Sequence, residues 1–125
     1  MNQKKENRND WKENAHAMKF FEHIVARCGR IELHAIEKPK FEWASPLEAF
    51  KAAYEHEQYI TGRINDLVKI ATEECDNPAS VLLQWFVTEQ VEEEANTSKI
   101  VFMLEKIGSS ANGMFMLDHE LGERE

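Results

Sequence analysis

The stretch of sequence that decides the fold is residues 45–68, SPLEAFKAAYEHEQYITGRINDLV. Ser45 is a helix N-cap, Pro46 suits the first helical position and Glu48 completes a capping box, because each satisfies or removes an amide that a helix start leaves unpaired. Apolar residues then recur at steps of three and four, which is the period of a helix with one buried face. The stretch therefore predicts a long helix that runs to about Glu74.

The apolar face of this helix contains one carboxylate. Its members are Phe50, Ala53, Glu57, Ile60, Ile64, Leu67 and Ala71. A charged side chain on a buried stripe is costly unless it is paired or binds a metal ion. Glu57 is therefore a candidate functional residue.

A second long helix is predicted downstream, from about Pro78 to Ile107, after the interruption Asp76-Asn77-Pro78 and before Gly108. The members of its stripe are Ala79, Leu83, Phe86, Gln90, Glu93, Thr97, Ile100, Leu104 and Ile107. Two neighbouring members, Gln90 and Glu93, carry an amide and a carboxylate, and a tight turn at residues 75–78 brings them to the level of the upstream carboxylate within a few helical turns.

A helix is also predicted upstream, from Asp10 as its cap to Arg27, with Gly29 at the stop position. Glu13 and His16 form an E-x-x-H on this helix, which places both side chains on one face, one turn apart. That spacing can chelate one metal ion. The connection over residues 30–44 is long, and long connections in bundles often join parallel helices.

The ends of the chain are less regular. Residues 1–8 are polar and we expect them to be disordered. Beyond Gly113, the segment MFMLDHELGERE predicts a short C-terminal helix with Met114, Leu117 and Leu121 on one side. The chain of 125 residues has room for a single domain, residues 1–125.

Charge and composition exclude several classes of function. The formal net charge is −8, from 23 acidic and 15 basic residues, so nucleic acid is a poor partner and cations are attracted. The two cysteines, Cys28 and Cys75, have no ligand spacing, which favours a reducing cytoplasm. We expect neither a signal peptide nor a membrane span, because no apolar run is long enough.

The polar residues on these helices can meet in one bundle interior. The candidates for a shared metal site are Glu13, His16, Glu57, Gln90 and Glu93. Carboxylate and imidazole ligands from facing helices are the usual ligands of a di-iron site. The pattern leaves open a polar interior with satisfied hydrogen bonds, or a solvated seam without metal.

Four segments of the sequence resemble the bacterial non-haem ferritins. They are HAMKFFEHI at 16–24, the stretch 45–68, LLQWFVTEQVEEEA at 82–95 and GMFMLDHELGER at 113–124. The resemblance implies an all-α, ferritin-like four-helix bundle. It also implies a cytoplasmic iron-storage subunit that oxidises Fe2+ to Fe3+ with dioxygen at a di-iron ferroxidase centre and deposits ferric mineral in a 24-mer shell.

The resemblance also assigns roles to residues. Glu13 matches the bridging glutamate, His16 the histidine ligand and Glu57 the glutamate of the next helix. Gln90 and Glu93 match the Q-x-x-E of the last long helix. For a third iron site the family uses further positions, which are Glu89, Glu92 and, just before the bridging glutamate, Lys12. A lysine at that position argues against a complete third site.

The family's first helix is expected to be missing from this chain, together with the glutamate ligand and the tyrosine that it carries. One iron position then lacks a ligand, and ferroxidase activity depends on whether the centre tolerates that loss. The alternatives are a catalytically incomplete structural chain that co-assembles with complete subunits and a ferritin-like enzyme for an organic substrate or peroxide. The expected partners are copies of the same chain or full-length ferritin subunits, iron and dioxygen.

Overall fold

The structure, a computed structural model, describes residues 3–38, 40, 42–108 and 119, and for residues 3–11 the backbone only. It contains three helices, α1 (Gln3–Ala26), α2 (Pro46–Glu73) and α3 (Asn77–Ile107), and no β-strand among those residues. The predicted all-α fold is confirmed. Apart from residue 119, the short C-terminal helix predicted beyond Gly113 lies outside the described residues.

The described part of the chain falls into two compact units, one within residues 3–38 and one within residues 40–108. In neither of them is a described helix both long and apolar enough to cross a membrane.

Helix α1 begins at Gln3, upstream of the predicted cap at Asp10. Residues 3–8, which the sequence predicted to be disordered, are helical. Their lysine, glutamate, glutamine and arginine are good helix formers, so a polar composition does not oppose a helix here. At the other end Cys28 takes the left-handed conformation with φ 60°, and the amide of Gly29 donates to the Ile24 carbonyl at 2.8 Å.

The start of α2 is capped much as the sequence predicts. The Ser45 hydroxyl accepts a hydrogen bond from the Glu48 amide at 3.2 Å. The Glu48 carboxylate accepts in turn from the amide of Ala44 at 2.9 Å, one residue further upstream than in a standard capping box. These bonds satisfy amides that the first turn cannot pair internally.

Residues 74–76 join α2 to α3. Cys75 takes the left-handed conformation with φ 53°, and the Asp76 amide donates to the Ala71 carbonyl at 2.8 Å. The Asp76 carboxylate also caps α3, because it accepts from the Ala79 amide at 3.2 Å. So short a connection makes α2 and α3 an antiparallel hairpin.

Apolar side chains from both helices form the core of this hairpin. Its buried apolar members are Ile64, Ala71, Leu83, Phe86, Ile100 and Leu104. Every predicted member of the α3 stripe is buried or half-buried, whereas Leu67 of the α2 stripe is 42% exposed. At the open end of the hairpin Lys51 Nζ lies 3.3 Å from Glu105 Oε1.

Candidate metal centre

Gln90 lies inside the hairpin core and is 5% exposed. Its amide nitrogen Nε2 lies 3.1 Å from each of three acceptors on α2, which are the carbonyl oxygen of Glu57, the carboxylate oxygen Oε2 of Glu57 and the hydroxyl oxygen of Thr61. The sequence predicted Glu57 and Gln90 at the same level only within a few turns, and the two side chains are in contact.

Thr61 extends this cluster to a second carboxylate. Its hydroxyl donates to Glu94 Oε2 at 2.9 Å and also lies 3.0 Å from the Glu57 carbonyl oxygen. Glu57 and Thr61 are one turn apart on α2, and Gln90 and Glu94 are one turn apart on α3. Together Glu57, Thr61, Gln90 and Glu94 form a polar layer between the two helices.

Glu93 and Glu89 of α3 are half-buried, and Glu92 is exposed. The backbone carbonyl of Glu93 accepts a hydrogen bond from the Thr97 hydroxyl at 2.8 Å. Glu93 lies next to Glu94 in the sequence and three residues after Gln90. Its side chain therefore leaves α3 on the same side as Gln90.

The E-x-x-H pair lies on α1, in the unit within residues 3–38. Glu13 is exposed and His16 is half-buried. Both residues are helical and three positions apart, so they share one face as predicted. Of the five predicted ligands the structure brings Glu57 and Gln90 into contact, and their meeting with Glu13 and His16 stays a prediction.

Sequence reasoning did not single out Thr61 and Glu94. Thr61 could have been found, because it follows Glu57 by one turn on the stripe side of α2. For the run Glu92-Glu93-Glu94, the sequence assigned only Glu93 to the interior, yet Glu94 is also half-buried. Successive residues of a helix leave it in different directions, and the Glu94 carboxylate accepts the hydrogen bond that Thr61 donates.

Side chains of this kind suit hard cations, because carboxylate and amide oxygens bind Mg2+, Ca2+, Mn2+ and iron in preference to soft metals. Among the residues whose side chains are described, no three His, Cys, Asp or Glu side chains are close enough to hold a metal ion together. Within the polar layer, Glu57 provides a carboxylate that faces the amide of Gln90, and the carboxylate of Glu94 accepts from Thr61.

Comparison with known proteins identifies the family. The family model of the ferritin-like domain, named Ferritin, matches residues 11–107, a range that ends where α3 ends. The chain is 36% identical over 112 residues to the bacterial non-heme ferritin of Staphylococcus aureus strain MRSA252, covering 90% of this chain and 68% of that protein. It is 39% identical over 107 residues to a probable bacterial non-heme ferritin-like protein of Haemophilus influenzae, covering 86% of this chain and 65% of that protein.

Solved structures agree with these matches. An open-pore ferritin from the archaeon Archaeoglobus fulgidus superposes with a TM-score of 0.89 at 46% identity, covering 94% of this chain and 74% of that one. A humanized archaeal ferritin gives a TM-score of 0.88 at 47% identity, over 92% of this chain and 70% of that one. The chain belongs to the ferritin family.

Membership of this family is consistent with iron binding and iron storage. The chain spans about two thirds of the length of the two bacterial relatives.

Proposed function

We propose that the chain is an iron-storage subunit that oxidises ferrous iron at a di-iron ferroxidase centre, in the cytoplasm, and deposits ferric mineral inside a 24-mer shell. Glu13 bridges the two ions, His16 and Glu57 complete the iron positions, and Gln90 and Glu93 serve the second ion. Iron is the substrate, and dioxygen takes one electron from each of two ferrous ions.

The observation that best supports this proposal is the contact between Glu57 and Gln90 in the core of the hairpin. Burying a carboxylate and an amide costs free energy unless both are paired, and apolar residues of similar size would avoid that cost. Buried polar groups with oxygen donors on two facing helices are what a hard cation requires.

We extend the proposal to a third iron position only in part. Glu89 and Glu92 lie one turn apart on α3 and are the acidic residues available to it. Lys12 occupies the remaining position and brings a positive charge there. A third ion is therefore held more weakly than the first two.

The proposal predicts that Glu57→Ala and His16→Ala each slow ferrous oxidation by more than about tenfold, because even residues that only support metal ligands typically contribute that much. The measurement is the initial rate of Fe3+ formation, followed by absorbance after ferrous iron is added in air. His34→Ala is the matched control for His16→Ala, since His34 is exposed outside the helices. Unchanged rates in both ligand variants would contradict a ferroxidase centre at these residues.

A second candidate function is a catalytically incomplete structural chain that co-assembles with complete ferritin subunits. It is favoured by large side chains that α2 exposes along one side, where Tyr59 is 61%, Leu67 42% and Ile70 54% exposed. Exposed apolar surface of this kind is typical of a face that packs against another chain. Co-expression with a full-length ferritin tests it, and the absence of mixed shells would count against it.

A further inference from the structure

The side-chain amide of Gln90 has one defined orientation. Its nitrogen lies 3.1 Å from the carbonyl oxygen of Glu57, an atom that accepts hydrogen bonds and has no hydrogen to donate. Exchanging the amide nitrogen and oxygen would set two acceptors against each other, so the nitrogen must face α2. The amide oxygen is then the atom left for a cation, which binds oxygen lone pairs and not an NH2 group.

The polar layer has fewer donor hydrogens than donor–acceptor contacts. The amide nitrogen of Gln90 carries two hydrogens and the hydroxyl of Thr61 carries one, whereas five donor–acceptor distances of 2.9 to 3.1 Å connect the layer. The Thr61 hydrogen goes to Glu94, because a carboxylate is a stronger acceptor than a carbonyl and is the nearer of the two. Thr61 then presents a lone pair to Gln90.

This arrangement holds Gln90 even when Glu57 turns toward a cation. Of the three acceptors around the Gln90 nitrogen, only the Glu57 carboxylate is a metal donor in the proposed centre. The Glu57 carbonyl and the Thr61 hydroxyl remain for the two amide hydrogens. The orientation of Gln90 therefore does not depend on the group that the cation takes away.

We infer that Thr61 and Glu94 are positioning residues of the metal site. Glu94 orients the hydroxyl of Thr61, Thr61 holds the amide of Gln90, and the Gln90 oxygen and the Glu57 carboxylate are left to a divalent cation. Neither positioning residue touches the cation. The inference rests on the proposed function and deepens it, because it names the groups that hold the proposed ligand Gln90 in its orientation.

The test for Thr61 is a titration of the full chain, freed of metal, with Co2+, followed by its visible absorption. Thr61→Val keeps the shape and removes the hydroxyl, and we expect the Co2+ affinity to fall about tenfold, as is typical when support for a metal ligand is lost. Thr61→Ser keeps the hydroxyl and should bind like the unaltered chain. Thr72→Val is the matched control, because its hydroxyl bonds to the Val68 carbonyl on the same helix.

The test for Glu94 separates a positioning role from direct binding. Glu94→Gln removes the charge but keeps an oxygen that can accept from Thr61, whereas Glu94→Ala removes both. We expect Glu94→Ala to weaken Co2+ binding and Glu94→Gln to preserve most of it. Glu105→Ala removes a charge elsewhere on α3 and should change little. Equal losses in the two Glu94 variants would overturn the inference, because charge alone would then explain them.

The Glu57→Ala variant distinguishes a failure of the positioning role from a failure of the proposed metal site. If Glu57→Ala abolishes Co2+ binding and Thr61→Val behaves like Thr72→Val, the positioning role is wrong and the metal site stands. If Glu57→Ala leaves Co2+ binding unchanged, the proposed site itself is wrong and the inference falls with it. Circular dichroism checks that each variant folds. Should Thr61→Val be unfolded, the Glu94 pair decides the question alone.

Discussion

Gln90 is a polar residue buried in the apolar core of the hairpin. A buried amide without partners costs about 1–3 kcal/mol, yet Gln90 is 5% exposed among apolar neighbours. The acceptors of Glu57 and Thr61 offset that cost. A leucine in its place would leave the Glu57 carboxylate beside an apolar group, so the two helices depend on each other's polar residues at this point.

Cys75 has a backbone conformation that is unfavourable for a residue with a Cβ atom. At φ 53° a residue with a Cβ carries a steric cost of about 1–2 kcal/mol. Cys75→Gly removes this cost and adds about 0.5–1 kcal/mol of chain entropy to the unfolded state, so we expect a net gain in the free energy of unfolding of about 0.5–1 kcal/mol. Chemical denaturation under reducing conditions measures it.

Cys75→Ala is the control for this prediction, because it removes the thiol and keeps the Cβ. The alanine variant should show no comparable gain. A gain of the same size in both variants would mean that the thiol, and not the left-handed backbone, is the source of the cost.

At the scale of helices, the sequence predicted the helix starts that carry clear capping residues. Ser45, Pro46 and Glu48 give the start of α2, and Asp76 gives the start of α3, each within about a residue. The start of α1 at Gln3 was missed, since a polar segment without an apolar stripe gives no periodic signal. The hydrogen bond that Thr61 donates to Glu94 was missed because helical periodicity alone does not fix how one helix is rotated against its neighbour.

Replacing Gly62 within α2 and Gly108 at the end of α3 by alanine should change the free energy of unfolding in opposite directions. Gly62 lies inside α2 with nothing within 4 Å of an added Cβ, so Gly62→Ala should raise the free energy of unfolding by about 1 kcal/mol. Gly108 follows α3 at φ 59°, so Gly108→Ala should lower it by about 1 kcal/mol. Thermal unfolding of both variants provides the comparison, and shifts in the same direction would contradict this explanation.

At the scale of the whole molecule, the fold is that of the ferritin family, and the finer question is what the chain assembles into. Large apolar side chains are exposed on both helices of the hairpin, including Ile70 of α2 and Phe102 of α3, at 54% and 56%. A net charge of −8 opposes unspecific clustering of such chains. Contacts between subunits would cover this surface.

Light scattering of the protein purified after expression with iron tests assembly directly. We expect a particle with the molar mass of a 24-mer shell, because an assembly would cover the apolar side chains that both helices of the hairpin expose. Val91→Asp, on the exposed side of α3 where Val91 is 67% exposed, places a charge on that surface and should reduce the particle mass if the face is covered. A monomer from the unaltered chain would contradict storage by this chain alone.

The connection at residues 74–76 has a consequence for how the chain folds. Because only residues 74–76 separate α2 from α3, closing the loop between them costs little entropy, and the two helices can pair outward from this turn. Topologies rich in local contacts fold fastest. We therefore expect α2 and α3 to pair early in folding, with half of the polar layer on each helix.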